Sequence, residues 1–353
     1  MSGRPKIFGH LLREIINAGK CVTCGTCVSV CPVDTVKMVN SLPRLTGVCI
    51  ACGMCYNNCP QVEFDVEKME KHVFGRTRTE DELLTGVYTA AYGVRSVQEN
   101  IKGQDGGVVT AILVDFLRKS GDAAVVAGLD DEKVWVPKPT VALSEEKVIE
   151  SAGTKYTSSP SLIGAGDAVK NYDKNNVAMV GTPCQIRGLQ LLDQGTFKEA
   201  NISEAVKLKV GLFCMETFAY DSFMEYLESN GVDAEKVTKF AIKSGKFYAN
   251  YGDSIAHEAG LKEVKKLVRP CCTKCEDFTS EFADISVGNV GSPNGWSTVL
   301  VRTEAGESAL RKAEESGLIE VKPLDEFKPG MSLVTRLSRM KKREAAKASK
   351  EEE

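Results

Sequence analysis

The sequence is poor in histidine and carries little net charge. Its 353 residues include only three histidines, His10, His72 and His257, and none stands in a recognisable catalytic pattern. Acid–base chemistry by histidine is therefore not expected. The net charge of -3 at pH 7 provides no broad positive surface, which argues against nucleic acid and anionic membranes as partners.

Long apolar runs are also missing. No stretch approaches the ~18 apolar residues that a membrane-spanning helix needs, so we expect no direct membrane span. The first residues, Met1 to Lys6, lack the apolar segment of a signal peptide. We therefore expect a cytoplasmic protein that reaches a membrane only through a partner. Thiols stay reduced in that compartment, so the 13 cysteines of the chain favour metal binding over disulfides.

Eight of the cysteines lie within residues 21–60, in two copies of one spacing. Each copy reads C-x2-C-x2-C-x3-C-P, the signature of a bacterial ferredoxin with two 4Fe–4S clusters, in which the fourth cysteine of each run crosses to the other cluster. Structural zinc is the alternative, but zinc sites use separated pairs of cysteines. The spacing predicts two ligand sets: Cys21, Cys24, Cys27 and Cys59, and Cys49, Cys52, Cys55 and Cys31.

After this module, patterns typical of strands alternate with patterns typical of helices. A helix is predicted from Asp105, as its N-cap, to a stop at Gly121, and a strand follows at 123–127. Further strands are predicted at 177–180 and 208–213, with helices at 184–192 and 217–230. The alternation predicts an α/β domain with a mixed or mainly parallel sheet. Ligands bind beyond the carboxyl ends of such strands, where Cys184 and Cys214 are expected.

Four later cysteines are suited to a third cluster. Cys272 and Cys275 form a C-x2-C pair, and Cys184 and Cys214 complete a set of four thiols. A redox disulfide or buried structural cysteines are the alternatives, and the choice between Cys271 and Cys272 stays open, although the spacing favours Cys272.

Glycines mark two other candidate sites. Gly106 and Gly107 precede a helix, where free N–H groups favour an anion such as a pyrophosphate, although a simple packing turn is the alternative. Gly288, Gly291 and Gly295 predict a loop between two strands that is mobile or lies close to a ligand. The charged end of the chain, residues 339–353, predicts a solvated, frayed helix.

Several motifs then occur in the order typical of one family. They are QDGGVVTA at 104–111, GTKYTSSP at 153–160, GTPCQ at 181–185, GLFC at 211–214, C-x2-C-x-D-F at 272–278, ADISVG at 283–288 and GWST at 295–298. Through them, over roughly residues 80–305, the chain resembles the family of coenzyme F420 hydrogenase/dehydrogenase beta subunits. The ferredoxin module in front makes it similar to the F420H2 dehydrogenase input subunit. Cys271 departs from the family pattern, which has a small residue such as glycine there.

The resemblance implies FAD, a third 4Fe–4S cluster, and hydride exchange with coenzyme F420 as the substrate. FAD belongs between F420 and the clusters because a hydride carries two electrons and a cluster accepts one at a time. Lys155 is the candidate cation beside the reduced flavin and Trp296 a candidate for stacking on it, with a surface lysine and a core tryptophan as alternatives. The implied cofactor-binding residues are Asp105, Gly106, Gly107, Thr110, Lys155, Thr157, Thr182, Pro183, Gln185, Gly288, Gly291, Gly295 and Trp296.

These inferences predict three parts: a ferredoxin-like module at 1–75, a domain for FAD, F420 and the third cluster at 76–330, and a charged tail at 331–353. The expected partner is a redox protein or complex, such as ferredoxin, heterodisulfide reductase, hydrogenase, formate dehydrogenase or a membrane dehydrogenase subunit. Two alternatives remain: an electron-wiring subunit without a substrate of its own, or a sibling enzyme acting on another substrate. The direction of electron flow and the identity of the partner stay open.

Overall fold

The computed structural model describes residues 5–62, 64–101, 103–195 and 201–351. Its strands, in chain order, are β1 (Val36–Val39), β2 (Leu42–Leu45), β3 (Ala90–Ser96), β4 (Ala123–Leu129), β5 (Pro137–Ala142), β6 (Val177–Gly181), β7 (Val206–Leu212), β8 (Lys239–Lys243), β9 (Lys246–Tyr251), β10 (Ser254–Gly260), β11 (Ile285–Gly288), β12 (Ser297–Val301) and β13 (Ile319–Pro323).

The helices connect these strands and cover them. They are α1 (Phe8–Leu11), α2 (Thr26–Ser29), α3 (Met54–Asn57), α4 (Val66–Phe74), α5 (Val108–Lys119), α6 (Glu145–Glu150), α7 (Ser161–Lys170), α8 (Pro183–Gln194), α9 (Ile202–Ala205), α10 (Tyr220–Ser229), α11 (Leu261–Val264), α12 (Pro270–Thr273), α13 (Glu304–Glu315) and α14 (Met331–Lys350). None of the helices in the described ranges has the length and apolar character required to cross a bilayer.

The N-terminal unit is organised around its cysteine loops. Helix α1 continues into a π-helical turn at Leu12–Ile16, and their apolar side chains pack against both cysteine runs. Each run of three cysteines ends in a short helix, α2 or α3, whose N-cap glycine has a left-handed backbone conformation.

The large domain is built on one sheet in the order β13-β3-β12-β11-β7-β6-β4-β5. Strands β4, β6, β7 and β11 are mutually parallel, and the outer strands pair antiparallel, so the mixed, mainly parallel α/β prediction is confirmed. Alternate residues of β4 face opposite cores: Ala124 and Val126 face α5 and α13, while Ala123 and Val125 face α7 and α8. Because both faces are covered, the parallel strands β4 and β6 are apolar throughout.

The ferredoxin module shares the second of these cores. Val22, Cys24 and Met54 pack with α7 and α8, and the Leu162 N–H donates to the Cys24 carbonyl at 3.0 Å. Gly25 has a φ of +90°, and a Cβ there would lie 2.9 Å from the Pro160 carbonyl oxygen. The first cysteine run is therefore in direct contact with the large domain.

Two of the sequence-based expectations about local structure are wrong. Asp105 is not the N-cap of α5; Gly107, with a φ of +67°, has that position. Gly106 is hydrogen-bonded to two strands of the sheet. The Gly106 N–H donates to Ser297 Oγ at 3.2 Å, and the Gly106 carbonyl accepts from the Ser96 N–H at 2.6 Å. The helix consequently begins at Val108.

The second wrong expectation concerns the C-terminal residues. They form a helix, α14, but it is not solvated on all sides: Val334, Ser338, Lys341 and Ala345 are buried along one stripe. The Ser338 hydroxyl also donates to the Leu84 carbonyl, which holds the helix on the domain. The predicted tail therefore packs on the large domain, and its final two residues, like residues 1–4 of the ferredoxin module, lie outside the described ranges.

A small antiparallel sheet, β10-β9-β8, was not anticipated from the sequence. It packs against α10 through an aromatic cluster that includes Phe218, Phe223, Phe240 and Phe247. Its strands, KFAIK, KFYANY and SIAHEAG, include lysine, alanine and asparagine, which are depleted in strands, so the segment indicates a sheet only weakly. This sheet lies beside the loop before α5, because Gln104 Nε2 donates to the Phe240 carbonyl at 3.0 Å.

Candidate redox site

The structure brings the ferredoxin cysteines together in two groups. Burial, and then the nearby thiols of Cys59 and Cys21, raise the pKa of Cys24 to about 12. Interactions of this kind weaken with distance, so Cys59 lies with the first run although it belongs to the second. Burial and the thiols of Cys52, Cys49 and Cys31 likewise raise the pKa of Cys55 to about 12. Each group of thiols thus contains the fourth cysteine of the other run.

A third group lies at the carboxyl edge of the large sheet. Cys184 is in the first turn of α8, directly after β6, and Cys214 follows β7. Burial, with Cys272, Cys184 and Cys275 adding to it, raises the pKa of Cys214. Cys272 and Cys275 come from α12 and the residues after it. Four thiols from three separate segments therefore meet in one buried place.

The three groups lie in a row. Among the groups that raise the pKa of the Cys184 thiol, after burial, are Cys275 and also Cys24 of the ferredoxin module. Cys27, in the same group as Cys24, in turn has its pKa raised by burial and by neighbours that include Cys55. The order in space is the domain group, then the group of Cys24, then the group of Cys55.

These groups suit a cluster better than a single ion. Over the described part of the chain, no three His, Cys, Asp or Glu side chains converge closely enough to hold one metal ion. The four thiolates of a 4Fe–4S site bind four separate irons and stand farther apart. The thiolate is the ligand, so iron that binds here would displace the protons that burial otherwise holds on these thiols.

Cys271 and Cys272 take different roles in this arrangement. The Cys271 thiol donates to the Cys272 sulfur, which lowers the pKa of Cys272 and raises that of Cys271. The Thr217 hydroxyl lies 3.5 Å from Cys272 Sγ as a further partner. Cys271 itself is 8% exposed and packs in the core with Cys24 and Leu189. The surroundings therefore stabilise a thiolate on Cys272.

Lys155 is a half-buried cation in the segment between α6 and α7. Its Nζ donates to the backbone carbonyls of Ser151 at 2.5 Å and Ala152 at 3.2 Å. Burial lowers the pKa of Lys155 to about 8. Neither hydrogen-bond partner is charged, so the ammonium would gain from a nearby anion.

The loop that contains Asp105, Gly106 and Gly107 joins the Lys155 segment. The Thr154 N–H donates to Gln104 Oε1 at 3.4 Å, and the charge of Asp105 contributes to the raised pKa of Tyr156. Thr157 continues the same segment, and its bridge to Phe218 holds it in place. Thr110 lies in the first turn of α5 and is 7% exposed. These candidate cofactor residues are therefore neighbours.

Thr182, Pro183 and Gln185 form the start of α8. The Thr182 N–H donates to Gln185 Oε1 at 2.8 Å, and Pro183 has the first helical position. Gln185 Nε2 donates to the Ser159 carbonyl at 2.5 Å. Both ends of the Gln185 side-chain amide are thus hydrogen-bonded within the protein. These contacts position Cys184, and they do not place Gln185 at the wall of a cavity.

The glycine loop between β11 and β12 lies at the same edge but is largely filled by the protein itself. A Cβ at Gly288 would lie 2.2 Å from the Phe213 ring, and one at Gly291 would lie 2.9 Å from the Gly330 carbonyl oxygen. Beside Gly295, with a φ of +78°, there is open space. Only this last glycine borders room for a ligand.

Trp296 lies at the β3–β13 side of the sheet. Its ring packs on Phe327 with centroids 5.0 Å apart and lies under the Arg95 guanidinium at 4.8 Å and the Lys322 ammonium at 5.2 Å. The ring of Trp296 is thus half-buried against three protein side chains, and the next residue, Ser297, bonds the Gly106 N–H.

Comparison with known proteins agrees with this architecture. Models described as the N-terminal part and the C terminus of the Coenzyme F420 hydrogenase/dehydrogenase beta subunit match residues 91–163 and 174–327, and one described as a 4Fe-4S dicluster domain matches residues 13–60.

Three similar proteins show how far the likeness extends. The beta subunit of coenzyme F420 hydrogenase of Methanothermobacter thermautotrophicus is 38% identical, over 75% of this chain and 95% of that protein. An F(420)H(2) dehydrogenase subunit of Methanosarcina mazei is 32% identical, over 94% of this chain and 92% of that protein. A chain of the F420-reducing [NiFe] hydrogenase complex from Methanosarcina barkeri superposes with a TM-score of 0.73 at 35% identity, covering 76% of this chain and 94% of that one.

Proposed function

The chain belongs to the family of coenzyme F420 hydrogenase/dehydrogenase beta subunits, and we propose that it is an F420-linked flavo-iron–sulfur oxidoreductase. It exchanges a hydride between coenzyme F420 and FAD and passes single electrons through 4Fe–4S clusters to or from a partner protein. The observation that carries this proposal is the row of three thiol groups, which leads from the carboxyl edge of the large sheet to the surface of the ferredoxin module.

The residues of the domain group fit a 4Fe–4S cluster in donor type and number. Cys184, Cys214, Cys272 and Cys275 would supply the four thiolates, and Cys271 would donate a hydrogen bond to the Cys272 sulfur. Hydrogen bonds to ligand sulfur and exclusion of water are two of the ways in which a protein adjusts such a cluster.

FAD fits the neighbouring segment in charge. When bound, it supplies the chemistry that accepts a hydride as an electron pair and releases single electrons. Lys155 would place a positive charge beside the flavin ring, and among the described residues its hydrogen-bond partners are two uncharged carbonyls. The N-terminus of α5, with Thr110 in its first turn, would hold the pyrophosphate through backbone N–H groups. Gly106 serves this site indirectly, since its own N–H is already donated to Ser297.

The outer thiol group faces the partner. Cys52 is exposed, and so are its neighbours Ile50 at 56% and Val48 at 83%. Exposed apolar side chains around a redox group are typical of a surface that meets another protein. The likeness to the dehydrogenase subunit of Methanosarcina mazei includes this module, because it extends over 94% of the chain. We therefore place the partner, a redox protein or another subunit of a complex, at Cys49–Cys52.

The experiment is anaerobic purification followed by addition of reduced F420. We expect about 12 Fe and 12 sulfides per chain, from four cysteines for each of three clusters, and bound FAD that bleaches with F420H2. A content of only about 8 Fe per chain would show that the domain cluster does not exist. Flavin that stays oxidised would contradict the proposed hydride transfer.

One observation favours a second function, that of an electron-wiring subunit without a substrate of its own. The spaces beside Gly288 and Gly291 are filled by Phe213 and Gly330, and Gln185 is fully engaged within the protein. These residues therefore give the flavin site less support than Lys155 does. A preparation with 12 Fe but no flavin, which also fails to bind added FAD, would establish this second function.

A further inference from the structure

The C-terminal helix carries a lysine into the domain thiol group. Lys341 on α14 is 4% exposed. Its Nζ donates to the Cys214 carbonyl at 2.5 Å and to the Asp277 carbonyl at 2.9 Å. These are backbone oxygens on either side of the thiol group, so the ammonium is held by the segments that supply two of the candidate ligands.

A lysine this deeply buried requires a compensating negative charge. Within the described residues, Lys341 forms no ion pair with a carboxylate, whereas the adjacent Lys342 pairs with Glu281 at 2.8 Å. The two carbonyl groups use two of the three N–H donors of the ammonium, and they leave its charge uncompensated. A negative group must therefore be present nearby in the functional molecule.

The groups that face Lys341 identify that negative charge. The thiols of Cys275, Cys214 and Cys272 and the Asp277 carboxylate all favour the charged form of Lys341 against the cost of burial. Asp277 supplies one negative charge near the lysine, and its oxygens also accept the Glu281 N–H, at 3.1 and 3.0 Å. The other three groups are candidate cluster ligands, and they are thiols that become anionic when they bind iron.

We propose that Lys341 is the countercharge of the domain cluster and raises its reduction potential. This inference rests on the proposed function, because it requires a cluster on Cys184, Cys214, Cys272 and Cys275. Four thiolates make the site an anion, and reduction adds one further negative charge. A fixed positive charge in a buried site stabilises the more negative form more strongly. Lys341 therefore favours the reduced cluster and makes it a better acceptor.

The position on α14 has a structural consequence. The buried stripe of this helix and the Ser338 contact with Leu84 determine where Lys341 lies. The lysine is thus introduced from the end of the chain, far from the cysteine motifs in sequence. Docking of α14 completes the charge balance of a site whose ligands all precede it.

The test compares Lys341→Met, Lys341→Arg and, as the matched control, Lys342→Met in the full chain. Each protein is titrated anaerobically and followed by electron paramagnetic resonance, with iron counted per chain. The domain cluster is the component that the Cys275→Ser variant lacks. At the midpoint potential of the parent protein, we expect the ratio of reduced to oxidised domain cluster to be at least tenfold lower in Lys341→Met. This ratio corresponds to a decrease of about 59 mV in the reduction potential for one electron. Lys341→Arg and Lys342→Met should stay close to the parent.

Every outcome decides the proposal. If Lys341→Met cannot hold the cluster and loses about four irons per chain while Lys341→Arg keeps them, the charge is required and the proposal stands. A full iron content with an unchanged midpoint in Lys341→Met overturns it. Loss of the cluster in both Lys341 variants also overturns it, because packing rather than charge would then be decisive.

The same data separate this inference from the proposed function. If the parent protein contains only about 8 Fe and shows no component that depends on Cys275, the proposed domain cluster does not exist. If that component is present in the parent but indifferent to Lys341→Met, the cluster exists and only the role of Lys341 is wrong.

Discussion

The domain thiol group and the outer ferredoxin group use the same ligand chemistry in opposite surroundings. In the domain group, burial raises the pKa values of Cys184 and Cys214, and Lys341 donates to the Cys214 carbonyl. In the outer group Cys52 is exposed, and nearby Val48 and Ile50 face solvent. A redox centre that exchanges electrons within one chain benefits from a dry, charge-adjusted site. One that serves another protein has to be accessible.

The exposed apolar side chains are concentrated at the outer group. Thirteen large apolar side chains of the described residues are exposed, and five of them fall within residues 33–50: Val33, Val39, Leu45, Val48 and Ile50. Charge is sparse there, since residues 33–50 contain only Asp34, Lys37 and Arg44, and Asp34 pairs with Lys37 at 2.5 Å. A small apolar surface of low charge suits contact with another protein.

The largest effect is expected from Cys275→Ser, which removes a ligand of the domain group. The flavin should still bleach with F420H2, because that step needs no iron. Reduction of the ferredoxin clusters should fall to the background rate, since the domain thiol group, which lies between the flavin and these clusters, loses a ligand. Rapid mixing with absorbance and freeze-quench detection measures both steps. Cys271→Ser is the control, because a serine hydroxyl can still donate to Cys272. Ferredoxin clusters reduced as fast in Cys275→Ser as in the parent would show that electrons take another route.

The next prediction distinguishes the thiol group of Cys24, the middle group, from the thiol group of Cys55, the outer group. Cys24→Ser should leave flavin bleaching intact but prevent reduction of the outer group, because Cys24 belongs to the group that faces Cys184. Cys52→Ser should remove only the outer group, while the middle group is reduced at the parental rate. The number of reducible clusters, from electron paramagnetic resonance spin counting, distinguishes the two. Equal loss in both variants would contradict the linear order.

A smaller effect concerns Lys155 and pH. Burial lowers the pKa of Lys155 to about 8, so its positive charge is present below that pH and is lost as the pH rises through it. Affinity for anionic FAD should therefore fall by about tenfold between pH 7 and pH 9, through loss of one bound proton. By the same linkage, an anion that binds beside Lys155 raises the pKa of the lysine, because proton binding and anion binding favour each other.

Lys155→Met tests this coupling directly. The variant should bind FAD weakly at pH 7 and show no further decline up to pH 9, as measured by flavin fluorescence titration. Lys322→Met is the matched control, since that lysine lies by Trp296 on the β3–β13 side. A pH profile that is unchanged in Lys155→Met would place the titrating group elsewhere.

The smallest effect tests the contact between module and domain. Gly25→Ala would put a Cβ 2.9 Å from the Pro160 carbonyl oxygen and 2.8 Å from Ile163 Cγ1, at a φ of +90°. We expect the strained backbone to cost about 1–3 kcal/mol in the free energy of unfolding, and the contact with Pro160 and Ile163 to add to that cost. Denaturant titration measures it. Gly245→Ala is the control, because it has a similar φ of +78° but nothing within 4 Å of the added Cβ. Equal losses in the two variants would show that conformation alone, and not the contact, accounts for the cost.

Local patterns determined a large part of this protein from the sequence alone. The spacing of the eight ferredoxin cysteines predicted which of them belong together, because a short loop can direct only a few side chains to one point. The alternation of strands and helices predicted the α/β sheet, since each short apolar run could be buried only as a strand. Gly121 marked the end of a helix, and α5 does end at Lys119, since backbone restrictions act within a few residues.

Only the tertiary structure decided how these parts meet. Contacts with the sheet moved the start of α5 from Asp105 to Val108, and Phe213 filled the space beside Gly288. The proximity of Cys24 to Cys184 and of Lys341 to Cys214 joins residues more than a hundred positions apart. Residues so distant in sequence leave no shared spacing or periodicity, because their neighbourhood arises only when separate elements pack on a common core. That packing arranges the thiol groups in a row and places a positive charge at one end of it.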